Sequence, residues 1–358
     1  MKKTKKILSL VLSVAMLTVI FAACADNSGG GSGGSGSVAQ EVANLGAGQV
    51  KDIYNDPIKI AQISISTAGI INQLVQLSYR EQLYRFPNVS VVHWDAEYDP
   101  NRQVTLIQEA VTQGYDAIVI EAMDPFALNG AIEEAEKAGI PVISVNAAEP
   151  QTVHTLYMAG ADYSSGWASA ELMVGMSGNE GTAIVLDCPP AMKPAARMGT
   201  GFEEYIQQKT NIRLIEQLGI ENWSADNAQI SMRDCLTKYG PGEITMVYCA
   251  NDDIAMGAAN AIDQAGRADE GIIVWGFNGF RNGLELVKEG KLAGTMFGDT
   301  YVQNATAFYF AMYAIATGLT GQTAGYTRTP VVEQPMLPVT QQNIDDVMAV
   351  SRWFVSYN

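Results

Sequence analysis

Residues 248–266 read YCANDDIAMGAANAIDQAG, an apolar strand end that runs through Asn251, Asp252 and Asp253 into a stretch with helical spacing. Asn251 stands where a helix start favours a side chain that accepts from free backbone N–H groups. A strand passing straight into a helix is half of a parallel-sheet repeat, and the alternation extends outward in both directions. Upstream lie the strand-like runs IKIAQISIS (58–66), VSVVHW (89–94), DAIVIEA (116–122), PVISVN (141–146) and TLYMAG (155–160), with helical patterns ending near 86, 113 and 138. Around the quoted stretch lie TAIVLD (182–187), IRLIEQLG (212–219), ITMVYCA (244–250), GIIVWGF (271–277) and KLAGTMF (291–297). Helices near 162–177, 194–209, 225–239, 252–265 and 279–289 separate them. Two such series predict an α/β chain with two doubly wound parallel sheets, and roughly 300 residues are enough for two lobes, each with its own core.

In open parallel sheets a ligand sits beyond the carboxyl ends of the strands, so those ends locate the candidate site. They carry Ser66 and Thr67, Trp94 and Asp95, Glu121 and Asp124, Asn146, Asp187, Asn251 and Asp252, Asn278, and Asp299. Amides that donate and accept, carboxylates that accept, and few basic residues suit a neutral ligand rich in hydroxyls. Helix capping competes with this reading at Asn251, Asp124 and Asp299, each of which precedes a helical run. Trp223 lies among Glu221, Asn222, Ser224 and Asp226, a polar neighbourhood that favours a cleft over a core position. Trp167 and Trp275 are expected in the core, and Trp94 is open between the two. The 162–177 helix is expected to turn Trp167, Leu172, Met173 and Met176 toward the core. His93 and His154 are far apart in sequence and read as structural. Asn251-Asp252-Asp253 lacks the spacing of a calcium loop, and no metal or cofactor is expected.

The first residues add a location. Lys2, Lys3, Lys5 and Lys6 precede an apolar run from Ile7 to Phe21 and the small residues Ala22 and Ala23, the pattern of an export signal over 1–23. Cys24 follows, and a Gly/Ser-rich linker over 24–56 comes next. About 30 flexible residues span roughly 30 Å root-mean-square, enough for a tethered body to reorient. Losing the four lysines of the signal takes the formal net charge from −16 to −20. Such acidity argues against nucleic acid, since phosphate backbones are bound by basic faces. Cys188, Cys235 and Cys249 lie near apolar segments without a C-x-x-C pair and read as buried small hydrophobes.

The segments EAEKAGIPVISVN (134–146), YCANDDIAMGAANAIDQAG (248–266) and VWGFNGFRNGLELVKEGKLAGTMF (274–297), in this order of elements, resemble the ribose/galactose type of periplasmic sugar-binding proteins. The likeness runs from about Pro57 to Asn343, and Phe21-Ala22-Ala23-Cys24 resembles a bacterial lipobox. The resemblance implies two lobes joined by a three-crossing hinge, an N-terminal lobe of 57–160 plus 299–331 and a C-terminal lobe of 161–298 plus 332–358. It also implies acylation of Cys24, anchoring to the bacterial membrane, and delivery of a monosaccharide or polyol to an ABC permease by a monomeric chain. Residue by residue, Asn251 matches the family's cleft asparagine and Trp223 the stacking aromatic. Asn146 and Asn278 stand where aspartate is usual, and Ala147 replaces a frequent arginine. Arg197 resembles a sugar-binding arginine, with Met198 as the alternative occupant of that place. Asn72 falls, with Ile70 and Ile71, where an aromatic pair is expected, and Asp299 stands in for a glutamine. Ser66, Thr67, Asn72, Asn146, Arg197, Trp223, Asn251, Asn278 and Asp299 are therefore the candidate ligand-binding residues.

Other readings stay open at this point. A sugar-sensing receptor serving chemotaxis or a sensor kinase would carry the same lobes, and a non-sugar solute such as a nucleoside would use a similar cleft. Paired carboxylates such as Asp187 and Asp252 are the minimum for glycoside cleavage. Against an enzyme, the chain outside the Gly/Ser linker has no G-x-S-x-G elbow, and it has no H-E-x-x-H and no G-x-x-x-x-G-K loop.

Overall fold

The computed structural model describes residues 50–68, 71–193 and 196–354. The export signal, Cys24 and most of the linker lie outside the described residues.

In chain order the strands are β1 (Ile58–Ser64), β2 (Val89–Asp95), β3 (Ala117–Ile120), β4 (Val142–Val145), β5 (Leu156–Gly160), β6 (Thr182–Asp187), β7 (Arg213–Gly219), β8 (Met246–Cys249), β9 (Ile273–Asn278), β10 (Gly294–Phe297), β11 (Val331–Gln334) and β12 (Leu337–Val339). The helices are α1 (Ile71–Leu83), α2 (Pro100–Thr112), α3 (Asn129–Lys137), α4 (Asp162–Ser177), α5 (Met198–Lys209), α6 (Ala225–Lys238), α7 (Asp252–Gln264), α8 (Arg281–Lys288), α9 (Thr300–Thr317) and α10 (Ile344–Met348). Two six-stranded sheets result, ordered β11-β5-β4-β3-β1-β2 and β12-β10-β9-β8-β6-β7. Every pairing is parallel except that of the edge strand β12 with β10. The fold is the α/β arrangement of two doubly wound lobes that the alternation predicts.

Side-chain alternation explains why the first sheet is covered on both faces. Ile58 and Ile60 of β1, with Ala117 and Val119 of β3, enter a cluster with Val75 and Tyr79 of α1 and Phe308 and Ala311 of α9. The intervening Ala61 and Ile63, with Ile118 and Ile120, enter the opposite cluster with Ile107 of α2 and Ile132 of α3. Each fully buried aliphatic side chain contributes about 1.5–3 kcal/mol, so a strand with two apolar faces is held from both sides. The second lobe has its own core, around the fully buried Trp275, Phe202 and Tyr248. Cys188, Cys235 and Cys249 sit in it as unpaired thiols.

The histidines hold structure. His154 is buried between Ser144 Oγ at 2.7 Å from Nε2 and the Thr152 carbonyl at 2.8 Å from Nδ1, and burial lowers its pKa to about 4. His93 Nδ1 lies 3.0 Å from Gln62 Oε1, with the ring edge-on to Tyr79. Trp167 is half-buried against Tyr205, and Met176 is exposed, which corrects the expected stripe. The buried side of α4 is instead Ser165, Gly166, Ser169, Ala170, Met173 and Val174. Small residues let the helix approach α5 closely: a Cβ on Gly166 would lie 1.9 Å from the Met198 carbonyl oxygen.

The chain passes between the sheets three times, after β5, after β10 and after β11. The third passage follows Gln334 rather than Val331, because β11 pairs with β5 as far as Gln334–Gly160. Neither β11 nor β12 is evident from sequence, since Pro330, Pro335 and Pro338 interrupt the pattern. Proline is tolerated at such sheet edges, where a missing N–H breaks no central ladder. The passages are stitched together: the Ala161 N–H donates to the Gln334 carbonyl at 3.2 Å, and Gln334 Nε2 donates to the Asp299 carbonyl at 3.0 Å.

Candidate functional site

The carboxyl ends of the two sheets face each other across a cavity of about 430 Å³ lined by residues from both lobes. The first lobe supplies Ser66 after β1, Tyr98 after β2, Glu121 after β3, and Asn146 and Ala147 after β4. The second supplies Asn222 and Trp223 after β7, Asn251 and Asp253 at the start of α7, Asn278 at the end of β9 and Phe280 after it. Asp162 and Met336, from the first and third passages, close the hinge side.

Backbone strain concentrates on this cavity. Among the described non-glycine residues with positive φ, Tyr98, Asn146, Ala147, Asn222, Trp223 and Asn278 all line it, at 59°, 52°, 35°, 57°, 54° and 89°. Left-handed backbone costs free energy in an L-residue, least for asparagine, and persists where the surrounding structure enforces a particular side-chain direction.

Asn251 reconciles its two readings. Its Oδ1 accepts from the Ile254 N–H at 2.7 Å and caps α7, while the residue remains on the cavity wall. Its neighbour Asp252 points the other way, buried, accepting from Thr295 Oγ1 at 2.6 Å and the Phe280 N–H at 2.5 Å. Burial raises Asp252 to about 8, against these donors, which pull it down. Asp253 returns to the cavity and accepts from Asn282 Nδ2 at 2.6 Å.

Five of the nine candidate residues converge here: Ser66, Asn146, Trp223, Asn251 and Asn278. The other four do not line the cavity. Thr67 donates its hydroxyl to Asp95 Oδ2. Asn72 uses its amide within the first lobe, accepting from Ser64 Oγ at 2.9 Å and donating to the Ser66 carbonyl. Asp299 caps α9 through the Val302 N–H at 3.1 Å, as the capping alternative has it. Arg197 lies just before α5, its guanidinium 4.9 Å over the Tyr163 ring, on the wall of a second cavity of about 910 Å³. Met198, the first residue of α5, lines the main cavity instead. Asp187 is likewise structural: it accepts from the Cys188 N–H at 2.8 Å and pairs with Lys193 at 3.0 Å. It is also absent from the cavity wall, as is Asp252, so the pair weighed for glycoside cleavage does not face a common space there.

The residues that sequence reasoning left out of the set are Tyr98, Asp162, Asn222, Asp253 and Phe280, together with Glu121, which it placed at a strand end only. The charged groups lining the cavity are Glu121, Asp162, Asp226 and Asp253, with no lysine, arginine or histidine among the lining residues. Burial raises the pKa of Glu121 and Asp253, and burial together with Glu333 raises Asp162 to about 6. A carboxyl that keeps its proton longer in the folded than in the unfolded chain makes stability fall as pH rises between the two pKa values. The share of stability due to Asp162 is therefore largest below pH 4 and is lost as pH rises to about 6. Asp162→Asn is expected to melt higher than the wild type at pH 7, and the two melting temperatures should draw together toward pH 4 in parallel thermal scans.

Two hinged α/β lobes with a ligand-sized, strained and acceptor-rich cavity between their strand ends define a solute-binding protein of the periplasmic type. The chain belongs to the periplasmic binding protein domain family, whose model matches residues 71–320. It is similar to the xylitol-binding protein of Mycolicibacterium smegmatis, 28% identical over 262 residues that cover 72% of this chain and 70% of the relative. It is also similar to the D-apiose import binding protein of Actinobacillus succinogenes, 30% identical over 230 residues, 63% of this chain and 71% of the relative. Among solved structures, the Caulobacter myo-inositol binding protein bound to myo-inositol superposes with a TM-score of 0.74 at 20% identity, covering 84% of this chain and 97% of that one.

Proposed function

We propose that this chain is an exported, lipid-anchored solute-binding protein that captures a neutral monosaccharide or polyol between its lobes and delivers it to an ABC permease, without chemistry on the ligand. The observation that carries the reading is the cavity wall itself: Trp223 offers a flat face for C–H groups, four asparagines donate and accept, and four carboxylates accept. Hydroxyls satisfy such a wall, whereas a carboxylate or phosphate ligand meets like charge and no cation. The names of the relatives, a xylitol-binding and a D-apiose import binding protein, point to the same ligand class. In this reading the lobes are 57–160 plus 299–334 and 161–298 plus 335–358, export and acylation at Cys24 place the chain on the outer side of the membrane, and the linker lets a monomer swing to its permease.

A thermal-shift screen tests this directly. Pentoses, hexoses, pentitols and inositols are expected to include at least one that raises the melting temperature, while the matching uronic acids and sugar phosphates leave it unchanged. A shift produced only by amino acids, nucleosides or sugar acids would overturn the ligand class.

A further inference from the structure

The C-terminal tail carries a contact that the cavity does not account for. After α10, whose Ile344 and Val347 are buried in the core of the second lobe, the chain turns at Ser351, whose N–H donates to the Val347 carbonyl at 2.8 Å. Trp353 packs edge-on against Phe280, with ring centroids 6.4 Å apart, and Phe280 lines the ligand cavity. The Arg281 guanidinium lies 5.4 Å over the Phe354 ring, a second hold on the same lobe. Between these anchors, Arg352 reaches out to the first lobe. It pairs with the Glu81 carboxylate on α1 and lies 4.8 Å over the ring of Tyr301 on α9. The Tyr301 hydroxyl in turn donates to the other oxygen of Glu81 at 2.5 Å. Burial raises the pKa of Asp299, the cap of α9, and the charge of the Arg352 guanidinium acts against that rise. The Arg352 side chain is only 8% exposed and that of Glu81 26%, so the pair is sheltered on the arginine side and open to salt on the glutamate side.

We propose that residues 351–354 form a strap between the lobes, with Arg352 as a positioning residue that ties α1 and α9 of the first lobe to the Phe280 wall of the cavity. The strap lies outside the three passages, so an opening that parts α1 from Phe280 must break either Arg352 from Glu81 or Trp353 from Phe280. It therefore biases the lobe equilibrium toward the arrangement seen here and couples that arrangement to the cavity wall through Trp353.

Small-angle scattering of the ligand-free, full-length chain tests the proposal without reference to which polyol fills the cavity, so its outcome is separate from that of the ligand screen. Arg352→Gln and Glu81→Gln are each expected to shift the balance toward open forms about tenfold and so to enlarge the radius of gyration. The exchanged pair Glu81→Arg with Arg352→Glu should bring it back, and molar salt should enlarge the wild type in the same direction. Circular dichroism melts identify variants that fail to fold, and for these the salt series on the wild type decides. Single variants that fold and scatter as the wild type does, an exchanged pair no more compact than the singles, or a wild type indifferent to salt would overturn it.

Discussion

Asp252→Ala will lower the melting temperature by on the order of 5–10 °C, the loss expected when a domain of this size forfeits about 3 kcal/mol. The carboxyl is completely enclosed: a Cβ on Gly276 would lie 2.2 Å from Oδ1, and one on Gly283 would lie 2.2 Å from Cγ. Truncation leaves the Phe280 N–H and the Thr295 hydroxyl buried without their acceptor, and each such orphan costs about 1–3 kcal/mol. The effect has a pH signature. The folded carboxyl titrates at about 8 against an ordinary 3.8, so its contribution is greatest below pH 4 and declines as pH rises toward 8. The gap between wild type and variant is therefore expected to narrow from pH 5 to pH 8 in calorimetric scans, and a gap that widens would contradict burial as the dominant influence on this group.

The second large effect falls on binding. Trp223→Ala and Asn251→Ser are each expected to weaken polyol binding at least tenfold, a change of about 1.4 kcal/mol, measured by titration calorimetry with the best compound from the screen. Trp223 is half-buried on the cavity wall and also packs against the core of the second lobe, so a melting scan of the variant separates a lost ligand contact from lost packing. Serine at 251 can still cap α7, because its hydroxyl accepts from the same backbone N–H groups. What it loses is the side-chain amide that the proposed function assigns to the ligand. Hydrogen bonds contribute only about 0.5–1.5 kcal/mol net each, so micromolar affinity needs several of these side chains acting with closure. An Asn251→Ser variant that melts lower yet binds normally would reduce Asn251 to a cap.

How far the sequence shows all this depends on where the signal lies. Strands such as Ile58–Ser64 and Thr182–Asp187 are legible because β-branched runs alternate with helical spacing over the whole chain. Strands β11 and β12 are not, because three prolines break short edge segments whose pairing only the assembled sheet defines. At the site, Asn146, Asn251 and Asn278 are legible as polar residues ending apolar strands. Tyr98 and Asn222 are not, because their direction depends on left-handed backbone in turns. Arg197 and Met198 differ by one position, and the helix that begins at Met198 sets which of them faces the cavity. Asp299 belongs to the hinge, where a cap, a carbonyl bound by Gln334 and the charge of Arg352 account for it.

The most direct measurement is a crystal structure of the protein grown with the polyol that gives the largest thermal shift. Density for one ligand is expected between Trp223, Asn146 and Asn251, with both lobes in contact with it. Density seated instead in the second cavity beside Arg197 and Arg328, or a main cavity left to solvent at saturating polyol, would contradict the proposed function.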